Sequence, residues 1–262
     1  MQYKAKKQFG QNFLQNDEIL EKISSFVSIQ NENIIEIGPG LGALTKKIIN
    51  KKPSNFLALE LDTEIIPELE KNIKSELEKS SSVNFEIKNI DVLKYNPEFE
   101  KYNILANIPY YITSPILTHF LYNVENKPEQ MAILMQKDVG DKILKKNKNK
   151  HSVISLMIEK KAKVSEKLFV GPENFAPKPK VDSSVLLFNL EDKYPEVDDE
   201  IFLNFIKKAF LAPRKKLVKN LTNSGFDKQK VLEIFNNLDL EENVRGEDLT
   251  LQNFIDLIKN IT

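Results

Sequence analysis

The sequence predicts a doubly wound α/β fold with a mostly parallel sheet, followed by a small all-α region. Two patterns lead to this prediction. Short apolar runs alternate with segments of helical periodicity five times in the first part of the chain, which is typical of strands joined by crossover helices. After residue 201 the apolar residues recur with helical spacing alone, which indicates a helical domain.

Asp17 is expected to cap the first helix of the chain. Seven strands are predicted in all. The strands cover residues 33–37, 56–60, 83–87, 104–106, 131–135, 163–170 and 185–188. In a parallel sheet the carboxyl ends of the strands share one edge, and ligands bind at that edge. We therefore expect functional side chains directly after the strands.

Charge segregation indicates where the chain divides. The charges of the 38 basic and 38 acidic residues of this 262-residue chain cancel, so the net charge is zero. The charges are nevertheless segregated, and an acidic segment that contains a proline, residues 191–200, is predicted to link two domains. We expect one domain over residues 1–192 and a helical domain over residues 193–262.

Composition excludes several kinds of site. The chain has no cysteine and only two histidines, so disulfides and thiolate metal sites are excluded and no metal is expected. No apolar run approaches the roughly 18 residues that span a bilayer, and the N-terminus lacks an apolar signal core. We expect a cytoplasmic protein without a membrane segment.

A glycine loop follows the first strand. Gly38-Pro39-Gly40-Leu41-Gly42 separates this strand from a predicted helix, and such a loop lets bare backbone approach a nucleotide. Glu60 ends the second strand, where a carboxylate accepts hydrogen bonds from ribose hydroxyls. Asp91 follows the third strand and either binds an adenine amino group or closes its loop. NAD and S-adenosylmethionine fit this pattern equally well.

The segment Asn107-Ile108-Pro109-Tyr110 follows the fourth strand and indicates an active-site corner. The Asn107 side-chain oxygen and the Ile108 carbonyl would each accept an N–H bond of an exocyclic amine, which localises the nitrogen lone pair for alkylation. Pro109 fixes the direction of that carbonyl, and Tyr110 offers a ring on which a base stacks. A tight turn with a surface tyrosine is the alternative interpretation.

A second aromatic residue is predicted beside this corner. Phe175 precedes Pro177 and Pro179, which stiffen the loop and would hold the ring outward. Opposite Tyr110, an exposed ring would form the second wall of a base slot. The alternative is a phenylalanine that plugs the rim of the domain.

Three clusters of basic residues favour a surface that follows phosphates. Each cluster taken singly is also typical of an ordinary solvated face. The residues predicted to contact phosphates are Lys4, Lys6, Lys7, Lys146, Lys148, Arg214, Lys215, Lys216 and Lys219.

Together, five ordered motifs resemble the ribosomal RNA adenine N6-dimethyltransferase family, in particular its small-subunit (16S) branch. They extend over almost the whole chain and are Gln11-Asn12-Phe13-Leu14, Glu36-Ile37-Gly38-Pro39-Gly40-Leu41-Gly42, Glu60-Leu61-Asp62, Asn107-Ile108-Pro109-Tyr110-Tyr111-Ile112-Thr113-Ser114-Pro115 and Phe175-x-Pro177-x-Pro179-x-Val181-x-Ser183.

This resemblance implies a Rossmann-like, seven-stranded methyltransferase sheet and a small helical RNA-binding domain. It implies S-adenosylmethionine as the methyl donor, with no metal. The implied acceptors are two adjacent adenosines in the 3′-terminal hairpin loop of small-subunit rRNA, within a pre-30S particle, and the implied enzyme is a monomer. The implied reaction is a direct in-line transfer to adenine N6.

By motif position, the resemblance also assigns residues. The residues implied to bind the donor are Asn12, Leu14, Gly38, Gly40, Glu60, Asp91 and Asn107, and those implied to form the catalytic corner are Asn107, Ile108, Pro109, Tyr110 and Phe175. One departure concerns the RNA-binding loop, where Pro213 stands in place of a family arginine and Lys216 or Lys219 is expected to substitute for it.

Three other functions share part of this pattern. An antibiotic-resistance methyltransferase of large-subunit rRNA would have a lysine in its glycine loop, which is absent here. A NAD-dependent dehydrogenase would share the loop and Glu60 but leaves Tyr110, Phe175 and the lysine clusters unexplained. A non-catalytic ribosome-assembly protein would share the basic surface but would not need the Asn107-Ile108-Pro109-Tyr110 corner.

Overall fold

In a computed structural model of the chain, residues 11–146 and 149–261 are described, apart from the side chain of Tyr110. The predicted phosphate contacts of Lys4, Lys6, Lys7 and Lys148 lie outside the described residues. In the part of the chain that the structure describes, every helix falls short of the length and apolar composition of a membrane-spanning segment.

The described residues form nine strands. In chain order these are β1 (Phe13–Leu14), β2 (Asn33–Ile37), β3 (Asn55–Glu60), β4 (Asn84–Asn89), β5 (Asn103–Asn107), β6 (Gln130–Gln136), β7 (Ala162–Val170), β8 (Phe175–Ala176) and β9 (Ser183–Leu190). Seven of them form one sheet in the order β4-β3-β2-β5-β6-β9-β7, while β1 and β8 pair in a separate two-stranded sheet. Strands β2 to β6 pair in parallel and β9 is antiparallel to β6, which confirms the predicted α/β fold.

Ten α-helices accompany these strands in the described residues. They are α1 (Asp17–Ile23), α2 (Ala43–Asn50), α3 (Ile66–Lys79), α4 (Thr113–Thr118), α5 (Lys137–Ile143), α6 (Val153–Lys161), α7 (Asp199–Ala209), α8 (Leu217–Asn223), α9 (Lys228–Asn237) and α10 (Leu251–Ile261). The prediction that Asp17 caps α1 is wrong by one residue. The Asn16 side chain accepts from the Ile19 amide instead, because an amide oxygen at that position reaches the exposed N–H groups of the first turn.

The parallel strands are buried on both faces in the middle of the sheet, because successive residues of a strand point to opposite faces and are all buried. Ile35 of β2, Leu105 of β5 and Ile133 of β6 have no exposed surface. This explains why these strands consist of continuous apolar runs rather than alternating residues.

The chain divides into two compact units. The first, called the sheet unit, comprises Met1–Gly140 and Val164–Leu190, and the second, called the helical unit, comprises Asp141–Lys163 and Glu191–Thr262. Residues 141–163 therefore belong to the helical unit, whereas the sequence pattern predicts them in the first domain. They join the helical unit through long-range contacts, such as the hydrogen bond from the His151 amide to the Glu247 carbonyl, that sequence spacing does not display.

A buried ion cluster holds the helical unit together. The Lys160 side chain has no exposed surface, and its Nζ lies 2.7 Å from an Asp199 oxygen and 3.3 Å from an Asp192 oxygen. Lys161 Nζ contacts the other oxygen of each of these carboxylates. The acidic segment predicted to be a linker thus supplies the partners of two buried lysines.

Removing one carboxylate from this cluster is expected to destabilise the protein. Asp199→Asn should lower the free energy of unfolding by about 1–3 kcal/mol, because a buried ammonium loses its nearest countercharge. Urea unfolding followed by circular dichroism measures the change. Lys259→Gln is the matched control, because its ion pair with Glu196 is exposed on both sides and its loss should change little. Equal effects of both substitutions would contradict the role of the cluster.

Candidate active site

A cavity opens at the carboxyl edge of the parallel strands, within the sheet unit. It contains the predicted strand-end residues together with the N-terminal β1 segment. The predicted site residues that line it are Asn12, Leu14, Gly38, Gly40, Glu60, Asp91, Asn107, Ile108, Pro109 and Phe175. The structure therefore brings together residues that the sequence spreads over more than half of the chain.

The glycine loop between β2 and α2 depends on two left-handed residues that line the cavity. Gly38 and Gly40 have φ angles of +68° and +56°, which side chains other than glycine adopt at a penalty. The Gly38 amide donates to the Leu59 carbonyl of β3 at 3.0 Å. A Cβ on Gly40 would lie 3.0 Å from the ring of Phe13, so β1 covers the loop closely.

Glu60 ends β3 with its carboxylate held from two sides. One oxygen accepts from the Gly40 amide at 3.2 Å and the other accepts from the Asp62 amide at 2.9 Å. Burial raises the pKa of this carboxyl above its ordinary value, and the amide bonds oppose that rise. Since a carboxylate offers about four acceptor positions, these amide bonds leave acceptor capacity for a ligand hydroxyl.

Asp91 lies in the turn that follows β4. Its Oδ1 accepts from the Leu93 amide at 3.0 Å and begins the short helical turn Val92–Lys94. Of the two roles predicted for Asp91, the closing of its own loop is therefore observed. The residue also lines the cavity.

Asn107 is the last residue of β5, beside the glycine loop. A Cβ on Gly38 would be 3.7 Å from the main-chain oxygen of Asn107, which is van der Waals contact. Among the described residues, none hydrogen-bonds to the Asn107 side chain, so its amide is free for a ligand. The turn that follows is closed by a hydrogen bond from the Ile112 amide to the Pro109 carbonyl.

Phe175 lies in this site but is not exposed, contrary to the sequence prediction. Its side chain is 5% accessible, because β8 pairs antiparallel with β1 and sets Phe175 opposite Leu14. Next to this pair, the Gln15 main-chain amide donates to the Asn174 main-chain carbonyl at 2.9 Å. The Asn16 side chain donates to the side-chain oxygen of Asn174, also at 2.9 Å. Phe175 is thus part of the cavity wall rather than a projecting ring.

Sequence reasoning missed Glu36 as a cavity residue. The side chain is 1% exposed and lines the cavity, and the Thr45 hydroxyl donates to its Oε2 at 2.7 Å. Burial raises the pKa of Glu36 to about 8 despite that hydrogen bond, and nearby Glu60 adds to the rise. The available signal was a carboxylate inside the otherwise apolar run 34–37.

The predicted phosphate-binding residues of the helical unit differ in availability. Lys146 lies 3.3 Å from Asp141 and is paired. Among the described residues, no acidic side chain pairs with Arg214, Lys215, Lys216 or Lys219, which are all exposed.

Buried Asn220, which lies on α8 together with Lys219, holds the loop that carries the cations of residues 214–216. Its side chain donates to the carbonyls of Ala209 and Ala212 and accepts from the Ala212 amide. The cations are therefore presented on an ordered loop.

No group of three or more histidine, aspartate or glutamate side chains suited to a metal ion occurs in the part of the chain that the structure describes. The site as described consists of backbone groups, carboxylates, amides and rings.

Comparison with known proteins identifies matching sequences over the full length. The family described as ribosomal RNA adenine dimethylase matches residues 2–262. Proteins named ribosomal RNA small subunit methyltransferase A are similar to this chain: that of Fusobacterium nucleatum is 38% identical, with 99% of this chain and 98% of the relative covered. That of Mycoplasma mobile is 39% identical, with 96% of each covered, and that of Pelagibacter ubique is 32% identical, with 98% and 96% covered.

Two solved structures share the fold. A dimethyladenosine transferase from Plasmodium falciparum superimposes with a TM-score of 0.79 at 23% identity, over 94% of this chain and 95% of the other. The 23S rRNA methyltransferase ErmE superimposes with a TM-score of 0.72 at 18% identity, over 95% and 99%. The predicted Rossmann-like methyltransferase fold is confirmed by these two structures.

The raised pKa of Glu36 predicts a pH-dependent stability. A carboxyl whose pKa is about 8 when folded and 4.5 when unfolded stabilises the folded state fully below pH 4.5 and loses that contribution as the pH rises to about 8. Between pH 5 and 8, the free energy of unfolding of the native chain should therefore fall relative to that of Glu36→Gln, by roughly 1.4 kcal/mol per pH unit at most.

Urea unfolding of both proteins at several pH values checks this expectation. Glu18→Gln, an exposed residue of α1, is the matched control and should follow the native curve. Parallel curves for the native chain and Glu36→Gln would contradict the buried, protonated state of Glu36.

Proposed function

The chain belongs to the ribosomal RNA adenine dimethylase family, and from that premise we propose that it methylates small-subunit rRNA. The proposed reaction transfers methyl groups from S-adenosylmethionine to N6 of two adjacent adenosines in the 3′-terminal hairpin loop. The names and full-length similarity of the small-subunit methyltransferase A relatives support this substrate.

One observation carries the proposal: a single cavity contains both a nucleotide-binding loop and a pair of acceptors for an amine. The glycine loop, Glu60 and Asp91 line this cavity together with Asn107 and Ile108. Transfer between two bound molecules requires that their reacting atoms be held together, and such positioning supplies much of the rate.

The donor is proposed to bind along the glycine loop. Gly38 and Gly40 offer bare backbone, and the Glu60 carboxylate is held in place to accept from the ribose hydroxyls. Asp91 is suited to receive the adenine amino group with the lone pairs that the Leu93 amide leaves unused. Asn12 and Leu14 would close the site from the β1 side.

The acceptor amine is proposed to bind at the end of β5. The nitrogen lone pair of adenine N6 is delocalised into the ring, so it attacks poorly until its two N–H bonds are drawn out of the ring plane. The free Asn107 amide oxygen and the Ile108 carbonyl would accept these two bonds. The sulfonium methyl then forms a bond to N6 as the carbon–sulfur bond breaks toward sulfur, and the alkylated nitrogen releases a proton.

Aromatic residues are proposed to hold the base. Phe175 lines the cavity wall together with Asn107, Ile108 and Pro109, and Tyr110 follows Pro109 directly in the sequence. After the first transfer a single N–H remains on N6, so one acceptor suffices for the second transfer.

No metal participates in this proposal, and we place the reaction in the cytoplasm, on a pre-30S particle, with a monomeric enzyme.

Large-subunit rRNA is the alternative substrate. The likeness to ErmE supports a shared fold alone, and the glycine loop of this chain has no lysine. Methyl incorporation from labelled S-adenosylmethionine into undermethylated small and large subunits, with the modified positions mapped, tests the proposal. Label confined to the large subunit, or absent from both, would overturn it.

Loss of the Asn107 acceptor is expected to remove catalysis while RNA binding persists. Asn107→Ala should lower turnover by about 100- to 1,000-fold at saturating donor, which is the usual effect of deleting one hydrogen-bonding group that acts on the transition state. Filter binding of small subunits should change little. Equal losses of turnover and of subunit affinity would argue against the catalytic role.

The cations of residues 214–216 are expected to bind phosphates. Replacing Arg214, Lys215 and Lys216 by glutamine should weaken small-subunit binding and lower the slope of log affinity against log salt by roughly 2–3. Lys259→Gln, which removes a cation paired with Glu196, should leave the slope near the native value. An unchanged slope in the triple variant would exclude this loop as the phosphate-binding surface.

A further inference from the structure

Tyr111 is the most exposed aromatic side chain among the described residues, at 64%. Within that part of the chain its ring packs on no other ring and its hydroxyl has no hydrogen-bond partner. Singly exposed aromatic side chains are ordinary on protein surfaces, so the feature that bears on function is the position of this ring relative to the cavity.

That position is the rim of the active-site cavity. Tyr111 lines the cavity, yet the neighbouring wall residues Ile108 and Phe175 are only 4% and 5% exposed. Tyr111 therefore faces both the cavity and the solvent. Leu61 is the other strongly exposed apolar residue of this cavity, at 49%, and it follows Glu60 on the donor side.

The backbone of Tyr111 is held firmly. It lies in the turn Tyr110–Ile112, which the hydrogen bond from Ile112 to Pro109 closes, and α4 follows at once. Thr113 and Ile116 of that helix are each 1% exposed. The turn is thus anchored at both ends, and the ring is presented from a fixed main chain.

We infer that Tyr111 stacks on the nucleotide that flanks the reacting adenosine, an inference that rests on the proposed function. A base that enters a buried cavity leaves its neighbour on the strand without a stacking partner on one face. The neighbour remains at the rim, because the sugar-phosphate backbone stays in solvent. An exposed ring at the rim, three residues after the Ile108 carbonyl, replaces the lost stacking partner.

Substitution of the ring tests this inference on small subunits with S-adenosylmethionine. Tyr111→Ala should lower kcat/KM for the subunits by about 5- to 150-fold, the usual range for losing one base–aromatic stack, whereas Tyr111→Phe keeps the ring and should stay within about twofold. The dissociation constant for S-adenosylmethionine and the urea unfolding midpoint should be unchanged in both. Phe169→Ala is the matched control: Phe169 is 54% exposed on β7 and is not among the described residues that line the cavity.

Three results would overturn the inference: native efficiency in Tyr111→Ala, an equal loss in Tyr111→Phe, or a weaker donor affinity that accounts for the whole loss. The first would leave the ring without a role, the second would assign the effect to the hydroxyl, and the third would place Tyr111 in the donor site. If the native chain methylates subunits in the same assay, these results count against Tyr111 alone. If the native chain transfers no methyl group, the proposed function fails, and the role of Tyr111 fails with it.

Discussion

The register of the parallel strands is the constraint on which the site depends. Ile37 of β2 pairs with Leu59 of β3 and with Ala106 of β5. The next residue along each strand is therefore set in one row at the carboxyl edge, and these residues are Gly38, Glu60 and Asn107. Backbone hydrogen bonds between the strands thus fix the positions of the glycine loop, the Glu60 carboxylate and the Asn107 amide relative to each other.

The cavity contains two buried carboxyl groups whose pKa values are both raised. Glu36 and Glu60 both line the cavity, and the charge of Glu60 disfavours ionisation of the buried Glu36. Burial raises the pKa of each, and that of Glu36 reaches about 8. Glu36 therefore holds a proton at neutral pH. Glu60 has two amide donors and is the better placed to carry charge toward a ligand.

The fold was largely predictable because its signals are local. The apolar runs of β2, β3, β5 and β6 mark strands buried on both faces, and glycines mark the loop that follows β2. The outward placement of Phe175 was wrong because its burial depends on pairing with Leu14, 161 positions earlier in the chain. No sequence pattern near Phe175 predicts its pairing with Leu14.

The organisation of the helical unit shows the same limit. Lys160 and Lys161 look like solvated residues at the end of a helix, but Asp192 and Asp199 from a distant segment bury them. Charge segregation located the acidic segment, which begins where the second part of the helical unit begins, but it did not display the ion pairs that Asp192 and Asp199 make. Glu36 was missed for a related reason, since a single acid in an apolar strand displays neither its burial nor its partner Thr45.

The pairing of β1 with β8 has a consequence for synthesis of the chain. β1 is made early and its partner residues Phe175 and Ala176 emerge only after the five parallel strands. Closing so long a loop is slow compared with local folding, and domains take shape as they leave the ribosome. The wall over the glycine loop is thus finished after the parallel strands, and a nascent chain that already has those strands would still lack a closed pocket.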